Sequence, residues 1–333
     1  MIERSLLLGD NLEMMKGLVG GCAHLVYLDP PFNTNRSFSM TGKAKKAGSQ
    51  GFMDKWKWGD EAKSSLEAAA KDPEWGPAMT ALHTLLGDTD MAAYLAMMAP
   101  RLGEIKRLLA DGGSVFLHCD PTSSHYLKVL CDAVMGRQNF KNEIIWHYRR
   151  WTNAQKQFQR MHDVILFYRL GEGVFDPPEV PPTGSQAEVI QRGWNVNKVR
   201  DGGGKALQLL VYDRDKAKRA IKVGKLDPSR YDRVVYRDST MSAASDTWTD
   251  IQYLHSQAKE REGYPTQKPL ALLERIITTC TREGDLVLDP FSGCGTTLVA
   301  AEKLSRRWAG MDMNPEAIKI SKSRMKKEFG IKL

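Results

Sequence analysis

Short apolar runs recur along the chain and predict the strands of a central sheet. Most of these runs are continuous rather than alternating, which is typical of strands that helices cover on both faces. The seven predicted strands are residues 5–8, 25–28, 114–118, 143–147, 164–168, 286–288 and 308–311.

Apolar residues at helical spacing lie between several of these runs. The predicted helices are residues 90–110, 123–134, 269–281, 296–304 and 315–329. Strands that alternate with helices indicate an open, doubly wound α/β sheet. Ligands of such sheets bind beyond the carboxyl ends of the strands, so motifs at those ends are the first candidates for chemistry.

Two stretches interrupt the alternation. Residues 38–89 mix lysine, glycine and alanine with three tryptophans, which predicts a partly helical insertion. Residues 171–259 are rich in charge, proline and glycine, and are numerous enough to form a small domain. The chain is therefore predicted to comprise five segments: 1–37, 38–89, 90–170, 171–259 and 260–333.

Composition narrows the classes of protein. The net charge of +8, from 48 basic and 40 acidic residues, suits a polyanionic partner, although many cytosolic proteins are basic for other reasons. No apolar run reaches about 18 residues and the charged N-terminus has no cleavage pattern, so neither a membrane span nor a signal peptide is expected. Five scattered cysteines without a C-x-x-C pair indicate no metal site and fit a cytoplasmic protein.

The first chemical motif is LVYLDPPFN, in which Asp29, Pro30, Pro31 and Phe32 follow a predicted strand. The two prolines stiffen the loop and leave its carbonyl oxygens free to accept hydrogen bonds. An amine on an aromatic base is a poor nucleophile because its lone pair is delocalised into the ring. The Asp29 carboxylate and the Pro30 carbonyl would hold both N–H bonds of such an amine, while Phe32 stacks on the base. A proline-rich turn with a surface aspartate is the alternative.

The second motif is LVLDPFSGCGTTLVAAEKL, where a strand runs through a glycine turn into a helix. Gly293 and Gly295 permit a tight turn and close approach of a ligand. A dinucleotide fingerprint is excluded because Leu298 stands where its third glycine would be, and no Gly-Lys-Ser/Thr of a P-loop follows. About twenty residues later, Asp312 ends the next strand, where an acid can bind ribose hydroxyls. These features predict an adenosine-containing cofactor.

Together, DPPF and DPFSGCGTT resemble the motifs of the DNA amino-methyltransferases, which methylate adenine N6 or cytosine N4. The order of catalytic motif, variable region and cofactor motif resembles the β-class permutation of that family. Further similar segments are GDNLEMMKGL (9–18), FLHCDPTSSHYLKVLCDAVMG (116–136), NEIIWHYRR (142–150) and YPTQKPLALLERII (264–277). The resemblance covers about residues 1–36, 90–170 and 264–328. It implies a Rossmann-like, seven-stranded, circularly permuted S-adenosylmethionine-dependent methyltransferase with an inserted target-recognition domain at 171–259.

The resemblance also implies a role for each motif residue. Asp29 and Pro30 would hold the target amine and Phe32 would stack on the base. The implied cofactor contacts are Asp10, Lys268, Asp289, Phe291, Ser292, Gly293, Cys294, Gly295, Thr296, Thr297 and Asp312. Among them, Asp312 would bind the ribose, Asp10 the adenine and Lys268 the carboxylate of the cofactor, with no metal required. A helix N-cap is the alternative for Asp10, and a solvated lysine at a helix start is the alternative for Lys268.

The form of the first motif bears on the substrate. Aspartate in its first position is usual for adenine N6 in this family, while serine is more frequent in the cytosine N4 enzymes, which are the second choice. The base would have to be flipped out of double-stranded DNA. A protein or RNA methyltransferase would typically show asparagine at position 29, and intact motifs argue against a non-catalytic DNA-binding scaffold. A homodimer and a cognate restriction endonuclease stay open as partners.

DNA contacts are expected where positive charge concentrates. Residues 192–237 hold thirteen Lys and Arg against five Asp and no Glu, which predicts either a solvated face or a DNA-facing region. The candidate contacts are Arg149, Arg150, Lys216, Lys218, Arg219, Lys222 and Lys225. Trp56 and Trp58, flanked by lysines, would stack on DNA or pack in the core. The cluster around His118 and Asp120 is predicted to pack and to cap the helix that begins near residue 123.

Overall fold

A computed structural model describes residues 3–33, 36–38, 52–150, 156–181, 184–201, 204–237, 241–255 and 257–333. The chain divides into two compact units. The first comprises Met1–Pro177 with Asp246–Leu333, and the second comprises Pro178–Ser245.

Strands and helices alternate through most of the first unit. The strands of both units, in chain order, are β1 (Ser5–Leu8), β2 (Ala23–Leu28), β3 (Arg36–Phe38), β4 (Phe52–Asp54), β5 (Leu109–Cys119), β6 (Phe140–His147), β7 (His162–Arg169), β8 (Glu179–Val180), β9 (Trp194–Asp201), β10 (Gly204–Val211), β11 (Arg233–Tyr236), β12 (Ser242–Ala243), β13 (Thr247–Trp248), β14 (Leu286–Asp289) and β15 (Arg307–Asp312). The α-helices are α1 (Asn11–Lys16), α2 (Asp60–Ala70), α3 (Gly76–Leu86), α4 (Asp90–Leu108), α5 (Ser124–Cys131), α6 (Gly184–Arg192), α7 (Arg214–Lys222), α8 (Leu270–Cys280), α9 (Thr296–Lys303) and α10 (Pro315–Phe329).

A mixed sheet of eight strands forms the centre of the first unit, in the order β1-β15-β14-β2-β5-β7-β6-β13. The first five strands of that order are parallel. Strand β7 is antiparallel to both of its neighbours, β5 and β6. The prediction of an α/β sheet is confirmed, and all seven predicted strands are present. The predicted number of strands is wrong by one, because β13, only two residues long, is too short to show a pattern in the sequence and pairs with β6.

Each face of this sheet buries its own apolar layer, which explains the continuous apolar runs. In β2, Val26 and Leu28 belong to the core cluster that also contains residues of α4. Their neighbours Leu25 and Tyr27 belong to the cluster on the opposite face, together with residues of α8 and α9. Because side chains alternate between faces, a strand covered on both sides must be apolar at every position. Among the helices of the described residues, none is long and apolar enough to cross a membrane.

Helix α10 begins and ends where its local sequence directs. The Asn314 side chain caps it by accepting a hydrogen bond from the Glu316 amide (3.0 Å), and Pro315 occupies the first helical position. Gly330, with φ of 72°, ends the helix in the left-handed conformation. The buried stripe of α10 consists of Ala317, Ile318, Ser321, Arg324 and Met325.

The described part of residues 38–89 is largely helical. Helices α2 and α3 contact α4, and Trp75, Met79 and Leu82 are buried in the same core cluster as α4. Strands β3 and β4 pair as an antiparallel hairpin on either side of residues 39–51, which lie outside the described residues.

The second unit is built around a three-stranded sheet in the order β11-β10-β9. Its small core contains Leu209 and Val211 of β10, Ala217 and Ala220 of α7, and Leu226. The unit spans Pro178–Ser245, so residues 171–177 and 246–259 of the predicted inserted domain are assigned to the first unit. Residues 182, 183, 202, 203 and 238–240 lie outside the described residues.

Candidate active site

The five parallel strands all end at one edge of the sheet, and each is closed by an aspartate. These residues are Asp10 after β1, Asp29 after β2, Asp120 after β5, Asp289 in β14 and Asp312 in β15. All but Asp120 line one cavity of about 1880 Å³. A cavity for one small ligand is typically about 300–1,000 Å³, so this one has room for a cofactor and a second group the size of a nucleotide.

The Asp29 carboxylate is paired with Lys268. The Lys268 Nζ lies 2.7 and 2.6 Å from the two carboxylate oxygens, and the lysine side chain is only 9% exposed. The same Nζ lies 5.1 Å from the centroid of the Phe32 ring. Lys268 is therefore not the solvated lysine of the alternative prediction. It contacts the first motif, and its predicted role at the cofactor carboxylate stays a prediction.

The glycine turn of the second motif wraps around the end of β15. The Gly293 amide donates to Asp312 Oδ2 at 2.8 Å, and the Asn314 amide donates to Asp312 Oδ1 at 2.8 Å. Gly293 and Gly295 have φ of 51° and 74°, in the left-handed region that favours glycine. A Cβ on Gly293 would lie 3.2 Å from the Tyr264 ring. The turn thus needs glycine for its own packing as well as for access to the cavity.

Burial raises the pKa of both aspartates that border the turn. It raises the pKa of Asp289 to about 7, opposed by hydrogen bonds from the Thr297 side chain and the Phe291 amide. Burial also raises the pKa of Asp312, although the two backbone amides that it accepts oppose the shift. Removal from water disfavours the charged form of a carboxyl group, which explains both directions.

Two residues of α10 donate hydrogen bonds to the glycine turn, and neither was among the site residues predicted from the sequence. Arg324, only 3% exposed, donates to the Cys294 carbonyl and to Thr296 Oγ1, each at 3.1 Å. Ser321 donates from Oγ to the Gly293 carbonyl at 3.0 Å. A signal was present in the sequence, because both residues occupy the buried stripe of an amphipathic helix, where a polar side chain requires a partner.

Asp10 caps α1, since its Oδ1 accepts from the Leu12 amide at 2.7 Å. The N-cap alternative is thereby confirmed, and Asp10 also borders the cavity. Arg101 of α4 pairs with Asp10 at 3.0 Å and donates to Asn11 Oδ1 at 2.7 Å. The Asn11 amide nitrogen donates in turn to the Pro290 carbonyl at 2.7 Å. The loop after β1 is in this way fixed against the loop after β14.

The residues of the turn fit an S-adenosylmethionine molecule. Among the described residues, Ser292 Oγ is a buried polar atom without a hydrogen-bond partner, and Ser292 lines the cavity. Buried polar groups normally have a partner, so this hydroxyl is placed for a ligand. Asp312 would supply carboxylate oxygens for ribose hydroxyls, and Gly295 of the turn is the N-cap of α9.

The cluster around His118 has a different arrangement from the predicted helix cap. Asp120 instead orders the turn before α5, since its Oδ1 accepts from the amides of Thr122 and Ser123 at 3.2 and 3.1 Å, while the N-cap of α5 is Ser123 and has no side-chain capping hydrogen bond. His118 is fully buried and bonded to Tyr27 and Asp163.

Most predicted DNA contacts are exposed. Arg149 and Arg150 follow β6, and the same loop also exposes Lys156, Phe158 and Arg160, which the prediction omitted. On α7, the exposed candidates are Lys218, Arg219 and Lys222, with Lys225 just beyond the helix. Lys216 is half-buried, and its Nζ donates to the Gln191 carbonyl at 3.0 Å.

The two tryptophans of the insertion pack against helices. Trp56 lies against Tyr94 of α4 with ring centroids 5.7 Å apart. Trp58 stacks on His83 of α3 at 4.9 Å. These contacts support the core-packing alternative for both rings, while the neighbouring Lys55 and Lys57 are exposed.

Comparison with known proteins identifies relatives along nearly the whole chain. The family model described as DNA methylase matches residues 23–323. The type II methyltransferase M.EcaI of Enterobacter cloacae is 28% identical over 98% of this chain and 69% of its own length. The StyLTI Mod subunit of Salmonella typhimurium, a type III restriction-modification enzyme, is 25% identical over 91% of this chain and 50% of its own. The DNA adenine methyltransferase YhdJ of Escherichia coli is 23% identical over 97% and 82%.

Solved structures show the same fold. The cytosine-N4-specific PvuII DNA methyltransferase superposes with a TM-score of 0.52 at 13% identity, covering 95% of this chain and 84% of its own. TTHA0409 of Thermus thermophilus, crystallised with S-adenosyl-L-methionine, gives 0.50 at 19% identity over 97% and 93%. With the family match spanning residues 23–323, the chain belongs to the DNA methylase family, the S-adenosylmethionine-dependent N6 and N4 amino-methyltransferases of DNA.

Proposed function

We propose that this chain transfers the methyl group of S-adenosylmethionine to the N6 amine of an adenine flipped out of double-stranded DNA. One observation carries the proposal. The DPPF motif follows β2, the glycine turn follows β14, and these two strands are parallel neighbours, with Leu25 in register with Val287. Both motifs consequently open into the same cavity. An amine held by the first motif is then adjacent to a cofactor held by the second.

On the cofactor side, the turn from Ser292 to Thr297 would hold the methionine portion and Asp312 the ribose hydroxyls. When bound, the cofactor supplies an electrophilic methyl group on a sulfonium. The chain contributes the position of that group through the rigid turn, which Arg324 and Ser321 hold from below. Positioning of this kind removes much of the entropic part of a bimolecular barrier.

On the base side, the Asp29 carboxylate and the Pro30 carbonyl accept the two N–H bonds of the amine, and Phe32 stacks on the ring. Asp29 takes the proton that the amine sheds when the N–C bond forms and the S–C bond breaks. Since Lys268 occupies both carboxylate oxygens, the amine must share Asp29 with this lysine or displace it. No covalent bond between the chain and the base is needed.

The DNA-binding role rests on charge and on place in the fold. The β6–β7 loop lies at the carboxyl edge of β5, because Cys119 at the end of β5 is in register with Val164 near the start of β7. Between Tyr148 and Asp163 the sequence contains no acid, and its described basic residues are exposed. Phosphates beside a flipped base would meet this loop. The second unit would read the target sequence, with the α7 cations on phosphates.

Adenine N6 is preferred over cytosine N4 because Asp29 opens the catalytic motif. Relatives of both kinds exist, since YhdJ is named an adenine enzyme and PvuII a cytosine-N4 enzyme. The catalytic motif precedes the cofactor motif, in the β-class permutation. A cytoplasmic location, a homodimer and a cognate restriction endonuclease stay predictions.

Transfer of tritium from labelled S-adenosylmethionine tests the reaction class. The purified chain is incubated separately with double-stranded DNA, total RNA and a protein mixture. We expect label in DNA alone. Label in RNA or protein with none in DNA would contradict the proposal, and so would binding of DNA without any transfer.

A further inference from the structure

Phe32 lies in the loop after β2, and a buried histidine of β5 packs against its ring. His118 of β5 is 0% exposed, and its ring stacks on Phe32 with centroids 5.7 Å apart and planes 27° apart. Trp146 of β6 meets the same imidazole edge-on, at 5.7 Å and 87°. The aryl torsion of a phenylalanine is broad by itself, so its ring plane here is set by what it packs against.

Hydrogen bonds fix the imidazole at both nitrogens. The Tyr27 hydroxyl lies 2.9 Å from His118 Nδ1, and Asp163 Oδ2 lies 3.0 Å from His118 Nε2. The second oxygen of Asp163 accepts from the Tyr148 hydroxyl at 2.9 Å. Tyr27, His118, Asp163 and Tyr148 thus form one chain, named here the histidine network, that joins β2, β5 and β7 to the residue that follows β6.

The surroundings of the histidine network shift the pKa values of Asp163 and Tyr27. Burial acts to raise the pKa of Asp163, but the hydrogen bond and charge of His118 outweigh it and leave the pKa below the usual value. The charge of Lys268 and the Tyr148 hydroxyl act in the same direction. Burial also raises the pKa of Tyr27 well above 10. Asp163, as a carboxylate, therefore accepts the hydrogen bond from His118 Nε2, and the neutral Tyr27 hydroxyl bonds to His118 Nδ1.

We propose that His118 is a positioning residue for methyl transfer. It sets the plane of Phe32, on which the target base stacks, and Tyr27 and Asp163 hold it in one orientation. The inference rests on the proposed function, since it concerns how the flipped base is presented to Asp29.

Two features favour positioning over a purely structural role. Apolar side chains of similar volume in place of these four residues would stabilise the core at least as well, because a buried ionic pair must offset the cost of its own removal from water. The histidine network also lies directly at the catalytic loop, since Tyr27 stands two residues before Asp29 and the charge of Lys268 reaches Asp163. A displacement of about 1 Å at a reacting centre can cost about a hundredfold in rate.

Two substitutions remove single atoms or charges from the histidine network: Tyr27→Phe and Asp163→Asn. We expect each to lower kcat for DNA methylation by roughly ten- to a hundredfold, with the KM for S-adenosylmethionine changed less than about twofold. Tyr168→Phe is the matched control. It removes a buried tyrosine hydroxyl bonded to an aspartate, Asp132 at 2.7 Å, and the OH also lies 3.4 Å from the Lys128 carbonyl. Tyr168 packs against Phe140 and not against Phe32, so kcat should stay at the wild-type value.

Thermal unfolding is measured on all three variants, so that loss of rate can be compared with loss of stability. A fall in kcat for Tyr27→Phe and Asp163→Asn, with Tyr168→Phe equally destabilised but fully active, supports the inference. Wild-type kcat in Tyr27→Phe and Asp163→Asn overturns it, and so does an equal loss in Tyr168→Phe. Activity of the wild type on DNA is the separate test of the proposed function. A wild type without transfer overturns both.

Discussion

The Lys268 Nζ lies 2.7 and 2.6 Å from the carboxylate oxygens of Asp29, a residue 239 positions earlier in the chain. Both side chains are largely buried, at 9% and 18% exposure. Breaking such a pair by removing one partner leaves a buried charge uncompensated. The segment before α8 therefore contacts the DPPF motif directly, and we infer that Lys268 acts on the base side of the cavity.

Lys268→Gln tests this placement. The carboxylate of Asp29 loses the cation that fixes both of its oxygens, so we expect kcat to fall by about tenfold or more while the Kd for S-adenosylmethionine stays within about twofold. If Lys268 instead bound the cofactor carboxylate, loss of a charged hydrogen bond worth about 1.5–3 kcal/mol would raise that Kd by more than about tenfold. Calorimetry and steady-state kinetics distinguish the two results. Lys303→Gln is the control, because it breaks an ion pair of the same 2.6 Å length at the surface.

Gly293→Ala is expected to weaken cofactor binding. A methyl group at this position would lie 3.2 Å from the Tyr264 ring, so the ring or the turn would have to move by a few tenths of an ångström. Gly284→Ala is the matched control, since Gly284 also has a left-handed φ (81°) but has no atom within 4 Å of the added Cβ. Both variants should lose roughly 1 kcal/mol of stability from backbone strain. Only Gly293→Ala should raise the Kd for S-adenosylmethionine, and equal affinities in the two variants would place the cofactor elsewhere.

The pH dependence of stability should carry a contribution from Asp289. Its pKa is raised to about 7 from the ordinary 3.8, first by burial. Between about pH 4 and pH 7 the folded chain holds a proton that the unfolded chain has released, so stability falls as the pH rises through that window and levels off above it. The slope is at most about 1.4 kcal/mol per pH unit.

Asp289→Asn removes this titration. The difference in free energy of unfolding, wild type minus variant, should therefore decrease from about pH 4 through about pH 7 and level off about one pH unit above that. Urea unfolding at several pH values measures it. Parallel curves for the two proteins would show that Asp289 does not titrate in that window.

The cations of α7 should contribute to DNA affinity without reading sequence. Replacing Lys218, Lys222 and Lys225 by glutamine should weaken binding about equally for specific and unrelated DNA. It should also flatten the salt dependence by roughly one unit of slope for each phosphate that the variant no longer neutralises. The triple variant Lys322→Gln, Lys326→Gln, Lys332→Gln removes the same charge from exposed positions in and beyond α10. Equal salt slopes in the two triple variants would mean that α7 does not bind DNA.

The sequence predicted the strands of the sheet well because both faces of those strands are buried. Strand β9 was missed for the opposite reason, since the polar side chains of Asn195, Asn197 and Lys198 break the apolar pattern beside a small core. Strand β13 is two residues long and is defined by its pairing with β6 and the burial of Trp248 in the core. Elements of this kind are stabilised by tertiary contacts that local sequence does not contain.

The candidate site shows the same difference between features that the local sequence indicates and features that depend on tertiary contacts. The motif residues could be predicted because their types and spacing carry the chemistry within a few positions. The pairing of Lys268 with Asp29 and of His118 with Asp163 could not, because 239 and 45 residues separate the partners. Polar residues inside apolar runs, such as Tyr27 and His118, nevertheless indicated that hydrogen-bond partners were needed, since a buried polar group normally has one.

The central claim is that Asp29 presents an adenine amine to S-adenosylmethionine. Its most direct test is mass spectrometry of nucleosides from the DNA of cells that express the wild type or Asp29→Ala, with cofactor binding of both proteins measured by calorimetry. We predict N6-methyladenine with the wild type, at least about a hundredfold less with the variant, and similar cofactor affinity in both. N4-methylcytosine as the main product, or more than about a tenth of the wild-type methylation in Asp29→Ala, would contradict the account.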